Sequence, residues 1–226
     1  MLPLPTGGGQ LGLPAHHLVD GVSAMRGPGR LHAPDGAALT ALTPQLARIA
    51  VELTEAGRRA HVLAHPLDQE AWARRPAPGE WSVGECLIHL NLTSRAFLPL
   101  IKDAIAKGRD QNLLGNGPYR RNFVGWLLGH VIEPPVPLRT KTNAQFVPQG
   151  AEPKAGVMDA FDMFQSQLIG CLGEANALDL GRLRIVSPFD PRIKYNLYSC
   201  LRIIPAHQRL HLKQAEGVVR GPRSAS

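Results

Sequence analysis

Two histidines four residues apart, His207 and His211, would place both imidazoles on one face of a helix, one turn apart, where two ring nitrogens can reach a single metal ion. Apart from Gln214, the same face carries apolar residues: Leu197, Leu201, Ile204 and Val218. Two readings follow from the pair alone, rings packed in or at the rim of a core, or ligands. A third histidine weighs on that choice. His89 has Cys86 three residues before it and Leu90 one after, so it faces inward or along the edge of an inward stripe. An inward neutral imidazole needs partners for both nitrogens, and a metal shared with two histidines of a facing helix satisfies one of them. Three histidines with an open position form the ligand pattern of a reactive metal site, not a closed structural one.

Other chemically capable residues have competing structural readings. Glu85, one turn before His89, is a candidate fourth ligand or general base, but Ser82-Val83-Gly84-Glu85 also spells a capping box. Cys86 offers a thiolate, yet it stands where a hydrophobic staple with Trp81 would put it. Gln214 is placed to hold a bound water, orient a ligand or bond between helices. His61 and His65 form a second His-x-x-x-His just before Pro66, where the dipole and free carbonyls of a helix end favour histidine on structural grounds. His16, His17 and His32 fall in a Gly/Pro-rich start, and His130 in a long connection that can reach over a pocket. Arg120-Arg121 and Arg139-Thr140-Lys141 read as solvated surface or as a lure for an anionic substrate. Asn91-Leu92-Thr93 matches a glycosylation acceptor but falls mid-helix.

Four segments with helical period must position these groups. The first opens at Thr43-Pro44, cap then proline, and repeats Leu46, Ile49, Leu53, Ala56 and Ala60 to about residue 65. The second begins at the capping box of Ser82 and runs to about Lys107, with Pro99 a point for a kink. The third follows Gly156 with Val157, Phe161, Phe164, Leu168, Cys171 and Ala175 on one stripe. The fourth opens near Asn196 and ends near Gly217, bent at Pro205. Residues 108–153, with Pro134-Pro135 and Pro137, read as an irregular crossover of a length often associated with function. Residues 1–36 and 220–226 read as a flexible arm and tail, leaving one domain at 37–219.

The string Pro78-Gly79-Glu80-Trp81-Ser82-Val83-Gly84-Glu85-Cys86-Leu87-Ile88-His89-Leu90 resembles the second-helix signature of the DinB-like (DinB/YfiT) superfamily. His207-Gln208-Arg209-Leu210-His211-Leu212-Lys213-Gln214-Ala215 is similar to its final-helix signature, and Ser187-Pro188-Phe189 ahead of the fourth helix is also typical. The resemblance spans roughly residues 40–218. It implies an all-α fold, a four-helix bundle of DinB/YfiT type in up-down-down-up order with the long crossover between helices two and three. It also implies one divalent metal, zinc or nickel, held by His89, His207 and His211, and often a homodimer. Known activities in the family are metal-dependent hydrolase-like reactions and transfers or isomerisations that use low-molecular-weight bacterial thiols. The first 36 residues and the crossover depart from simpler members, so pocket shape and substrate do not transfer.

Composition bounds the alternatives. The chain has 226 residues, 44% hydrophobic, enough for one substantial core. Its net charge of +7 permits loose attraction to phosphates without naming a partner. Aromatics at 5% supply a poor stacking surface for single-stranded nucleic acid, and no glycine-rich loop follows a strand to cradle a nucleotide phosphate. Nucleic acid is therefore not expected as a partner. Cys86, Cys171 and Cys200 are too few and scattered for a disulfide framework or a four-thiolate zinc site. The longest apolar stretch, Phe123 to Ile132, falls short of the ~18 to 20 residues a spanning helix needs. A cytoplasmic protein without membrane attachment is expected, taking a small-molecule substrate. The competing reading is a non-catalytic metal-binding or stress-response module, because no unambiguous general base stands out.

Overall fold

The computed structural model describes residues 42–132 and 143–221, apart from the side chains of 130–132. These residues lie within the second of two units, 32–226. The expected arm, most of the tail and the Arg139-Thr140-Lys141 cluster fall outside the described residues, as does the side chain of His130.

Four long helices carry the fold. Helix α1, Pro44–Ala64, starts with proline in its first turn and buries Leu46, Ile49, Ala50, Leu53, Ala56 and Ala60 at three- and four-residue steps. Thr43 stands at its N-cap without a side-chain capping bond; the Asn176 side chain instead accepts from the Thr43 backbone N–H at 3.1 Å. A short helix α2, Gln69–Ala73, follows, capped by the Asp68 carboxylate, which accepts from Ala71 N–H at 2.8 Å. It buries Trp72 completely.

Helix α3, Val83–Asp110, opens on the expected capping box: the Ser82 hydroxyl accepts from Glu85 N–H, and the Glu85 carboxylate accepts from Ser82 N–H. It continues through Pro99, which faces solvent. Gly84 matters here, because a Cβ at that position would lie 2.5 Å from Trp72 Nε1. Only hydrogen lets the indole pack against the first turn of α3.

Residues 108–153, expected to be irregular, are not so throughout. Helix α4, Phe123–Ile132, lies in this stretch, started by Asn122, whose backbone carbonyl accepts from Trp126 N–H and whose side chain accepts from Gly125 N–H. Its sequence is apolar on all sides and broken by glycines, so it carries no stripe to mark it. Gly125 seats it against the last long helix, where an added Cβ would meet Ser199 at 2.2 Å. A 3-10 turn, Ala144–Phe146, then leads to helix α5, Lys154–Ala175. It starts just before Gly156, and Val157, Phe161, Phe164, Leu168, Cys171 and Ala175 are all buried.

Two three-residue strands, β1 Arg184–Val186 and β2 Lys194–Asn196, pair antiparallel with Ile185 opposite Tyr195, both buried. Helix α6, Leu197–Arg220, follows at once; the Asn196 side chain accepts from Ser199 N–H at 2.9 Å, and Gly221 at φ 71° ends it. It runs past Gly217 and contains Pro205 without ending there.

The chain is mostly helical. Helix α1 packs on α5 and α6, and α3 packs on the same two. One apolar cluster joins the first half of α1 and of α6 to the second half of α3 and of α5; a second joins the complementary halves with Trp72. Between Ile204 of the first cluster and Leu212 of the second lie His207 and His211. No described helix is long and apolar enough to cross a membrane.

Candidate metal centre

The capping box sets the register of α3, and from it His89 falls two turns in, on the side facing α6, only 2% exposed. On α6 the four-residue spacing stacks His207 and His211, both half-buried, toward the same point. Ring centroids of His89 lie 5.1 Å from His207 and 4.4 Å from His211, and the α6 pair is 4.6 Å apart. One ligand nitrogen from each of the three lies within 4.8 Å of the others.

Hydrogen bonding engages Nδ1 of two of the three rings. The Nδ1–H of His89 donates to the Phe146 carbonyl at 2.7 Å, leaving its Nε2 as the lone-pair atom, 3.2 Å from His207 Nε2. His211 bonds through Nδ1 to Gln214 Oε1 at 3.1 Å, which leaves its Nε2 free in the same way. Tetrahedral zinc with bonds of about 2.0–2.1 Å separates two of its nitrogens by roughly 3.3–3.4 Å, close to the gap between His89 and His207. The three-histidine group could therefore hold a metal ion.

Electrostatics keep the rings neutral. Burial, then His211 and His89, lowers His207 well below its ordinary value. Burial, then His89, lowers His211 to about 3, against the opposing Gln214 bond. Burial also lowers His89, partly offset by the Phe146 carbonyl. Near neutral pH each ring thus keeps the lone pair a metal requires.

Aromatic side chains frame the group. The Trp81 ring lies 4.9 Å from His89 and 5.7 Å from His211, and Phe189 lies 6.3 Å from His207. Phe146 packs on Phe189 at 4.5 Å. The turn carrying Phe146 is tied to the loop carrying Phe189, since Asn143 Nδ2 donates to the Phe189 carbonyl and Gln145 Nε2 to that of Pro188.

The remaining candidates resolve structurally. Glu85 is committed to its cap and to Arg75, whose guanidinium pairs with it. Burial raises its pKa, but Arg75 and the Ser82 amide more than offset that, so the carboxyl sits below its usual range. Cys86 is fully buried, and desolvation followed by the Glu85 charge pushes its thiol up to about 12, which keeps it protonated and unsuited to ligation. Cys171 and Cys200 are also free and buried. His61 Nε2 bonds the Asp162 carboxylate at 2.9 and 3.0 Å, and His65 caps α1, exposed.

Three contributions have no site signal in the sequence. The Phe146 carbonyl is a backbone atom with no side-chain signal. Trp81 and Phe189 carry the signals of a staple and of a motif in the sequence, and neither signal marks a wall of the histidine group.

A family model of the DinB superfamily matches residues 52–215, a span that contains all three histidines. No curated protein and no solved structure shows significant similarity to the chain. Since the match extends over well more than half of the 226 residues, the chain belongs to the DinB superfamily.

Proposed function

We propose that this chain is a metal-dependent enzyme of the hydrolase or thiol-dependent S-transferase type, built on a DinB/YfiT four-helix bundle, with His89, His207 and His211 as the ligands of one zinc or nickel ion. The sharing of apolar clusters supports the bundle: α1 and α6 give their first halves to the cluster that receives the second halves of α3 and α5, the pattern of an up-down-down-up order. On this reading α4 and the Phe146 turn belong to the crossover, and the domain extends over residues 37–219. The observation that carries the metal reading is the arrangement of neutral imidazoles in which His89 Nε2 faces His207 Nε2 and one nitrogen of each ring lies within 4.8 Å of the others, while Nδ1 of His89 and of His211 is engaged elsewhere.

A divalent ion held there supplies Lewis-acid chemistry, acidifying a water or a small thiol that it binds. The chain's own residues do the rest. Phe146 and Gln214 hold two rings in the orientation that presents Nε2, Trp81 and Phe189 flank the histidines with apolar surface that limits water, and burial keeps protons off the three rings. Three unpaired, buried cysteines fit a reducing cytoplasmic setting.

A second reading, a metal-binding module without turnover, is favoured by one observation: Glu85, the acidic residue nearest His89 along α3, is occupied by Arg75 and Ser82 and is not free to act as a base. A panel of ester hydrolysis and thiol-transfer assays separates the two. Activity that a chelator removes and zinc or nickel restores supports the enzyme; a metal-loaded protein inert across the panel supports the module.

A further inference from the structure

Two of the three histidines hydrogen-bond through Nδ1, and the acceptors differ in kind. His89 donates to a main-chain carbonyl from another part of the chain, Phe146, 57 residues away. His211 donates to the amide oxygen of Gln214, three residues on along the same helix. Gln214 is exposed, and among the described residues its side chain makes no hydrogen bond besides the one to His211. An exposed glutamine ordinarily keeps its rotamer freedom, so a bond to a half-buried ring of the histidine group singles it out.

We infer that Gln214 is a positioning residue for the metal centre, holding His211 with Nδ1 protonated and Nε2 turned toward His89 and His207; this rests on the metal reading above. The chemistry follows from the imidazole itself. A neutral ring carries one proton on two nitrogens, and an acceptor at Nδ1 places it there. Without that acceptor the proton can move to Nε2, and the ring can rotate about its side-chain bonds, because His211 is only half-buried. Either change removes one of the three converging lone pairs. The fully packed His89 does not depend on a side chain for the same service. The amide is also neutral, so it orders the ring without lending the negative charge that a carboxylate in the same place would add to the site.

The test is zinc competition against a chromophoric chelator with the full-length chain and the variants Gln214→Leu, Gln214→Glu and His207→Ala, helical content being followed by circular dichroism. Gln214→Leu removes the acceptor at similar size and is expected to keep one zinc per chain while weakening its affinity about 10- to 100-fold. Gln214→Glu restores an acceptor and is expected to bind at least as tightly as the parent. Parent-like affinity in Gln214→Leu, or equal weakening in both Gln214 variants, overturns the positioning role while leaving the site intact. Identical zinc uptake by the parent and His207→Ala, or no uptake by the parent, overturns the metal reading and this inference together.

Discussion

The same four-residue histidine spacing occurs on two helices and meets two different fates. On α1, His61 and His65 sit at a helix end, one against the Asp162 carboxylate and the other exposed at the cap. On α6, His207 and His211 stand in mid-helix, facing the buried His89 across the interface with α3. Spacing is identical, so it cannot be what makes a site. The difference lies opposite the pair: a carboxylate near solvent accepts hydrogen bonds and leaves nothing converging, whereas a third neutral imidazole in an apolar setting adds a lone pair aimed at the same point. Burial sharpens the contrast, because desolvation holds the α6 pair and His89 neutral.

The largest expected effect tests that contrast directly. His207→Ala should abolish stoichiometric zinc or nickel uptake, measured by elemental analysis after equilibrium dialysis, while His61→Ala should leave it unchanged. Equal uptake in all three proteins would erase the distinction.

Protons probe the same difference in the metal-free protein. The folded-state pKa values of His89, His207 and His211 lie below the unfolded value of about 6.5, with His211 near 3. The unfolded chain therefore binds more protons below pH 6.5, and stability should decline as pH falls from about 6.5 toward 3. Urea midpoints measured across that window should drop in the parent, and less steeply in a variant with His207 and His211 replaced by glutamine. A flat profile in the parent would contradict the neutral, desolvated state of the cluster.

Much of this was legible in the sequence because the long helices carry their own instructions. Proline in the first turn of α1, the Ser82–Glu85 box of α3 and the 3.6-residue stripes of α5 and α6 each act locally, and the three histidines inherit their positions from those registers. Other parts have no such local code. Helix α4 is apolar on all sides, α2 spans five residues, and three-residue strands are too short for alternation to register. The Phe146 carbonyl that orders His89 is main chain, so only tertiary packing reveals it.

Metal should stabilise the fold as a ligand of the native state alone. At a free zinc concentration 100 times Kd, unfolding free energy should rise by about 2.7 kcal/mol in the parent and be unaffected in His207→Ala, as read from urea unfolding with and without chelator. The smallest effect belongs to the α1 pair. His61→Ala breaks a partly exposed contact with Asp162 and should cost no more than about 1 kcal/mol, with no change in metal affinity; a larger loss by the same urea measurement would give that contact a weight its exposure does not suggest.

The most direct test of the central claim is a crystal structure of the zinc-loaded protein with anomalous scattering at the metal edge. The account predicts one ion bonded at about 2.0–2.1 Å to Nε2 of His89, His207 and His211, with Nδ1 of His89 still on the Phe146 carbonyl and Nδ1 of His211 still on Gln214. An ion placed elsewhere, at His61 and Asp162 for example, or held by fewer than these three rings, would contradict it.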